Sequence, residues 1–127
     1  MKMMKTLLGC LSAAALFAGM LPAATMAADG EAVFKKCSAC HGLEVGKHKV
    51  GPSLAGVVGR KAGTAEGYKR YKGLKDASWI WTEAELMAYL EDPTAYTKDK
   101  SGERSAMGFK LKDEGERKAV IEYLKKH

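Results

Sequence analysis

Behind a short basic start, Met1-Lys-Met-Met-Lys5, the chain runs from Thr6 to Leu21 without a charge, and Pro22-Ala-Ala-Thr-Met-Ala-Ala28 follows. A basic start, a short apolar middle and a small-residue end form the pattern of an export signal. Cleavage is expected after Ala27, with Thr25 and Ala27 as the small residues before the cut; a cut after Ala28 fits nearly as well. An uncleaved anchor fits less well, because an apolar run of about 15 residues broken by Gly9, Ser12 and Gly19 is short for a span needing roughly 20. Leu8-Gly9-Cys10 faintly resembles a lipoprotein cleavage box, but too little apolar chain precedes Cys10.

Past Asp29 the pattern changes to helical segments set among polar, glycine-rich stretches. Gly30-Glu-Ala-Val-Phe34-Lys-Lys36 reads as a helix with Val33 and Phe34 buried. Thr82-x-x-Glu85 is a capping box, flanked by Trp81 and Leu86 as a hydrophobic staple. The helix it opens has Leu86, Tyr89 and Leu90 on its inner face, and Pro93 ends it. A further helix is predicted from about Asp113 to Lys126, apolar at Val120, Ile121 and Leu124 and basic at Lys125 and Lys126. No stretch alternates as a strand. Residues 28–127 therefore read as one all-α domain, with long loops from Gly42 to Gly73 and from Pro93 to Lys112.

Composition narrows the class. A chain of 127 residues with 46% hydrophobic and 28% charged residues is a single small globular domain, which excludes a multidomain enzyme, a coiled coil, a repeat array and a polytopic membrane protein. Removing positions 1–27 takes away only Lys2 and Lys5 among charged residues, so the formal charge falls from +6 to +4. A domain of about 100 residues has a thin core, and in an oxidising compartment such domains often add disulfides or a metal. The cysteines left after export, Cys37 and Cys40, are too close together to close a useful loop. Something else must fill the core.

Cys37-Ser38-Ala39-Cys40-His41 supplies it: C-x-x-C-H is the attachment sequence of c-type haem. On a helical turn, positions 37 and 40 share a face, so both sulfurs reach one edge of a porphyrin. His41 then projects beneath the macrocycle and offers a ring nitrogen to iron. A thioredoxin-like pair would want a βαβ setting, and a zinc site would want a second pair of ligands. A Cys37–Cys40 disulfide stays open but gives His41 no role. A single copy of the motif excludes a multihaem protein. A flat apolar cofactor also accounts for long loops in a small domain, since they can wrap it.

Further stretches agree in order and spacing. Lys47-His48-Lys49-Val50-Gly51-Pro52-Ser53-Leu54, Gly56-Val-Val-Gly59-Arg60-Lys61, Trp81 to Leu90 with Asp92-Pro93, Ser105-Ala106-Met107-Gly108-Phe109 and Ala119 to Lys126 together resemble the class I c-type cytochromes, soluble monohaem carriers of the bacterial and mitochondrial type. The motif lies near the mature N-terminus, as in that class, and not near the C-terminus as in the four-helix-bundle class. The resemblance implies the cytochrome c fold, three main helices and long loops around one covalent haem c. By position, Cys37 and Cys40 would hold the haem by thioethers, and His41 and Met107 would be the axial ligands. The Pro52 carbonyl would take a hydrogen bond from His41. Arg60, Trp81 and either Tyr68 or Tyr71 would face the propionates, with Tyr71 taken here; Tyr89 would sit near the Met107 sulfur, and His48 would brace its loop. Two departures stand out: the stretch from Pro93 to Met107 is longer than in mitochondrial members, and Ala106 stands where a Lys is common.

The competing candidates read as packing or surface. Met87 lies beside Leu86 within a helix, His127 is terminal, and Trp79 has no assigned role. Residues 47–75 hold eight Lys/Arg against one acid, Glu66, whereas residues 76–92 hold five acids and no Lys/Arg. Such segregation suggests a dipolar molecule that docks by its positive side, although solvated loops also carry such runs. The expectation is a periplasmic, monomeric one-electron carrier that is not an enzyme, without stable membrane insertion. Its partners would be redox proteins with acidic docking surfaces: a quinol-oxidising complex, an oxidase, a peroxidase, a photosynthetic centre or a periplasmic dehydrogenase. Nucleic acid is a poor partner for an exported chain lacking an aromatic-basic readout element. The rival is a haem enzyme or gas-binding protein in which Met107 is displaceable, and the longer stretch before Met107 is the feature in its favour.

Overall fold

The structure, a computed structural model, describes residues 28–127 and Gly19. The export signal, its cleavage site and Cys10 lie outside the described residues.

Four helices form in the order α1 Gly30–Phe34, α2 Glu83–Glu91, α3 Pro93–Ser101 and α4 Glu114–Leu124. Three match the segments predicted above, each opened by a side chain that accepts an otherwise orphaned N–H. Asp29 takes Glu31 N, Thr82 takes Glu85 N and Asp113 takes Glu116 N. The capping box at α2 is only half made. Thr82 Oγ1 accepts from Glu85 N at 3.2 Å, but the Glu85 carboxylate turns away to Tyr96 and Lys100. Thr82 N donates to Ile80 O instead. Thr82→Ala should cost about 1 kcal/mol and lower the melting temperature by roughly 4–8 °C, read by calorimetry.

Helix α3 is the difference from the sequence reading, which placed a loop from Pro93 to Lys112. Pro93 does not merely stop α2; it is the first residue of α3, where its missing N–H costs nothing. Asp92 caps the start by accepting from Ala95 N at 3.1 Å, and Gly102 closes the end at φ 77°, a left-handed conformation that suits a residue without Cβ. Irregular chain then continues from Gly102 to Asp113.

α1 packs on α4, α4 on α2, and α2 on α3. The α1–α4 crossing is close because Gly30 offers no side chain: a Cβ there would lie 2.3 Å from the Ala119 carbonyl oxygen. Phe34 and Tyr123 meet across it at 5.5 Å between ring centroids. Val33, Phe34, Leu86, Tyr89, Val120, Ile121 and Leu124 from the helices join Val57, Leu74, Trp81 and Leu111 from the loops in one buried cluster. Among the described residues there are only two isolated β-bridges, His41 with His48 and Lys61 with Ile80. No described helix is long and apolar enough to cross a membrane.

Candidate haem site

The turn after α1 carries the Cys-x-x-Cys-His segment. Cys37 N and Ser38 N both donate to Phe34 O, and Cys40 N and His41 N both donate to Cys37 O, at 2.8–3.0 Å. This tight coil brings Cys37, half-buried, and Cys40, exposed, onto the same cavity as the buried His41. Burial pushes the Cys37 thiol above its ordinary range, against the pull of the Lys36 charge.

The loop that follows fixes the imidazole. His41 Nδ1 donates to Pro52 O at 2.7 Å, and Gly51 N donates to Cys40 O at 2.7 Å. Burial holds His41 below the usual imidazole range, the Pro52 bond opposing it and the Arg60 charge adding to it. Burial thus favours the neutral ring, and because Pro52 O can only accept, the proton sits on Nδ1 and the lone pair of Nε2 is left for another partner. His48 braces the same loop: its Nδ1 accepts from Ser53 N at 2.9 Å and its Nε2 donates to Glu66 O at 2.6 Å.

Met107 enters from the segment after α3. Its N–H donates to Ser105 Oγ at 3.1 Å, a short side-chain turn that orients the residue. Tyr89 Oη lies 2.9 Å from Ser105 Oγ and 3.7 Å from the Met107 sulfur. Met87 is half-buried against the core and does not line the cavity.

One cavity of about 340 Å³ thus gathers Cys37, Cys40, His41, Pro52, Arg60, Tyr71, Trp81, Tyr89 and Met107, all nine residues expected of a haem site. Its remaining wall is mostly apolar, with Leu54, Val57, Leu74, Leu86, Leu90, Val120 and Leu124 supplied by four separate stretches of chain. Sequence reasoning had not assigned Ser105 or these aliphatic residues to the site. Ser105 was detectable from its position two residues before Met107; the aliphatic wall was not, because any core would use the same residue types. Trp79 proves to be a packing residue, standing edge-on to Trp81 at 6.1 Å.

Arg60 tests whether the cavity suits a haem. Its two terminal nitrogens donate to Ala55 O at 2.8 Å and Ser53 O at 3.1 Å, while Nε is buried without a partner. A guanidinium N–H left without an acceptor in an apolar wall suits a carboxylate, which a carboxylate-bearing macrocycle brings. Tyr71 Oη, raised above its usual range by burial, accepts from Ala65 N at 2.9 Å and keeps its own proton to give. Tyr68 instead donates to Val50 O at 2.7 Å. Two thiols, an imidazole and a thioether on one apolar cavity are a donor set that fits haem c.

The family profile of Cytochrome c matches residues 27–127. The chain belongs to the cytochrome c family. A cytochrome c2 of Rhodopseudomonas palustris is 46% identical over 111 residues, covering 77% of this chain and 95% of the relative. Cytochrome c2 iso-1 of Rhodospirillum centenum is 46% identical over 110 residues, covering 76% and 91%. Among solved structures, cytochrome c2 from Rhodospirillum centenum superposes with a TM-score of 0.70 at 41% identity, covering 78% of this chain and 98% of that one. Cytochrome cH from Methylobacterium extorquens gives 0.66 at 38%, covering 80% and 98%. The all-α architecture is therefore the cytochrome c fold, and its cofactor is one covalently bound haem c. Compared with the three-helix expectation, this cytochrome c adds the short α3 ahead of Met107.

Proposed function

We propose that the protein is a soluble, exported, monomeric one-electron carrier of the periplasm and not an enzyme, with Cys37 and Cys40 as the thioether attachments and His41 and Met107 as the axial ligands. The observation that carries this reading is the convergence of all four side chains on one cavity. The haem supplies a one-electron Fe(III)/Fe(II) couple. The chain's own residues do the rest. Pro52 holds the His41 proton on Nδ1 and so presents Nε2, while Ser105 holds the Met107 backbone N–H and Tyr89 donates to the Met107 sulfur. Arg60 and Tyr71 are placed to meet carboxylates, and the aliphatic wall keeps water out.

The cavity rim suits an acidic redox partner. Lys36, Arg70 and Lys72 line it beside the exposed Val50 and Phe109. None of the eight Lys/Arg between 47 and 75 pairs with a carboxylate among the described residues, whereas Glu83, Glu85, Glu91 and Asp92 are all paired. The loop field is thus left positive and the α2 field largely neutralised, which favours fast, salt-sensitive encounter with an acidic surface. A quinol-oxidising complex, an oxidase, a peroxidase, a photosynthetic centre or a periplasmic dehydrogenase would each offer such a partner.

The feature that favoured the displaceable-Met107 rival is absorbed by α3, a capped helix, so no observation now supports that reading. Carbon monoxide added to the reduced holoprotein at neutral pH should leave the visible spectrum unchanged. Rapid stoichiometric binding would overturn the closed site.

A further inference from the structure

Met107 sits on an irregular stretch whose two ends are held very differently. Upstream, Ser101 Oγ donates to Gly73 O at 2.8 Å, Gly73 N donates to Glu103 Oε2 at 3.3 Å, and Ser105 Oγ takes the N–H of Met107 itself. Downstream, among the described residues, no backbone hydrogen bond joins Gly108, Phe109 or Lys110 to another part of the chain. A Cβ on Gly108 would meet nothing within 4 Å, and Phe109 is exposed. Backbone ties resume at Leu111, whose N–H donates to Leu90 O at 2.8 Å and whose carbonyl accepts from Arg117 Nη1 at 2.8 Å. The first tie after Met107 is therefore a side chain: Lys110 Nζ reaches Asp92 Oδ2 at 2.9 Å.

Asp92 is a firm place to fasten that tie. It ends α2 and caps α3, and Pro93 fixes the backbone beside it. The two carboxylate oxygens have separate tasks. Oδ1 accepts from Ala95 N at 3.1 Å, which leaves Oδ2 for Lys110. The Ala95 N–H first, then Lys110 with a weaker pull from Lys112, holds the Asp92 carboxyl below its usual range against desolvation, so the anion persists at neutral pH. With side chains 28% and 46% exposed, the pair is a modest restraint that salt weakens. Its leverage comes from its place, three residues beyond Met107 on a span with no other bond.

We propose that Asp92 is a positioning residue for Met107: through Lys110 it clasps the downstream end of the stretch to the α2–α3 junction and so sets how often Met107 swings away from the cavity. The inference rests on Met107 as the distal ligand. A thioether favours the reduced metal, so the ferric holoprotein is the form in which such excursions are frequent enough to measure. A carrier gains from the clasp, because a strayed Met107 would change the potential between one electron and the next.

The test follows cyanide binding to the ferric holoprotein by the visible spectrum at neutral pH, where the probe is mainly the uncharged acid. In large excess the probe waits on rare openings, so its slow entry is compatible with a reduced protein that ignores carbon monoxide. Lys110→Ala removes one partner, and Asp92→Asn keeps an oxygen for Ala95 N while losing the charge. Each should speed binding about threefold, the scale of an exposed ion pair. The double variant should also stand near threefold, because both changes break one contact, whereas independent effects would multiply to about ninefold. Lys110→Arg keeps the charge and should bind at the wild-type rate. Added salt should speed binding in the unaltered protein and not in Lys110→Ala. Melting curves show that each variant is folded. Unchanged rates in the single variants, multiplied effects in the double variant, a fast Lys110→Arg or equal salt responses overturns the clasp. The wild-type ferric spectrum keeps the two readings apart. A methionine-to-iron charge-transfer band leaves the ligand assignment standing whatever the variants do, and its absence sinks both.

Discussion

Met107→Ala should lower the midpoint potential by on the order of 0.1–0.2 V, a modest part of the roughly 0.8 V that axial ligands command, and should open the iron to carbon monoxide. A thioether is a soft donor that favours the reduced metal, and alanine offers nothing in its place. The surroundings should survive the change. Tyr89 Oη and Ser105 Oγ remain bonded to each other at 2.9 Å, and α3 with its caps lies upstream of the altered residue. Among the described residues no other methionine can substitute without rearrangement, since Met87 is half-buried against the core and lies off the cavity. Potentiometry and a carbon monoxide titration of the reduced variant check both parts. An unchanged potential would mean that the distal ligand is another residue.

The parts of this site that were legible in the sequence are those whose geometry is local. The 37–41 pentapeptide closes on itself through bonds from Cys40 N and His41 N to Cys37 O, so spacing alone placed both sulfurs and the imidazole on one side. The same holds for α2 and α4, where a capping side chain precedes a run of apolar positions at helical spacing. Helix α3 was missed because it breaks that rule. Its buried residues are Pro93 and Thr97, too few and too polar to mark an apolar face, and proline suits the end of one helix as well as the start of the next. The signals were present in Asp92, Pro93 and Gly102, but they were read as a stop followed by a loop.

Other features became visible only when distant segments met. Glu85 matches the capping-box pattern, yet its carboxylate prefers Tyr96 and Lys100, eleven and fifteen residues away, over the backbone of its own helix. Tyr68 and Tyr71 looked interchangeable in sequence. Val50, from the preceding loop, separates them by taking the Tyr68 hydroxyl, which leaves Tyr71 as the hydroxyl beside Arg60. The charge segregation was readable as a pattern, but its consequence was not. Glu83, Glu85 and Glu91 of α2 and Asp92 just after it are paired with Lys125, Lys100, Arg117 and Lys110, which come from α3, the segment after it, α4 and the residue that caps α4. The basic stretch is left to set the field around the cavity rim.

Gly51→Ala should be a strongly damaging single-methyl change at the site, through collision and not backbone strain. A Cβ at position 51 would stand 2.4 Å from His41 Cε1, 2.8 Å from Nδ1 and 3.0 Å from Nε2, while the glycine itself does not occupy a positive-φ conformation. The methyl can be housed only if the imidazole turns or the loop at 49–52 retreats. Turning the ring breaks the bond from His41 Nδ1 to Pro52 O, and retreat of the loop breaks the bond from Gly51 N to Cys40 O. Overpacking of this kind costs about 1–3 kcal/mol, and a lost hydrogen bond adds about 1 kcal/mol. The sum exceeds the cost expected for Thr82→Ala, so the melting temperature should fall further than in that variant. The pigment-to-protein ratio of the exported material should fall as well, because the residue that is displaced is the one that presents Nε2. Thermal melting and the visible spectrum of the purified variant decide the matter. A wild-type melting point with an unaltered spectrum would show that His41 is held by something other than the backbone beneath it.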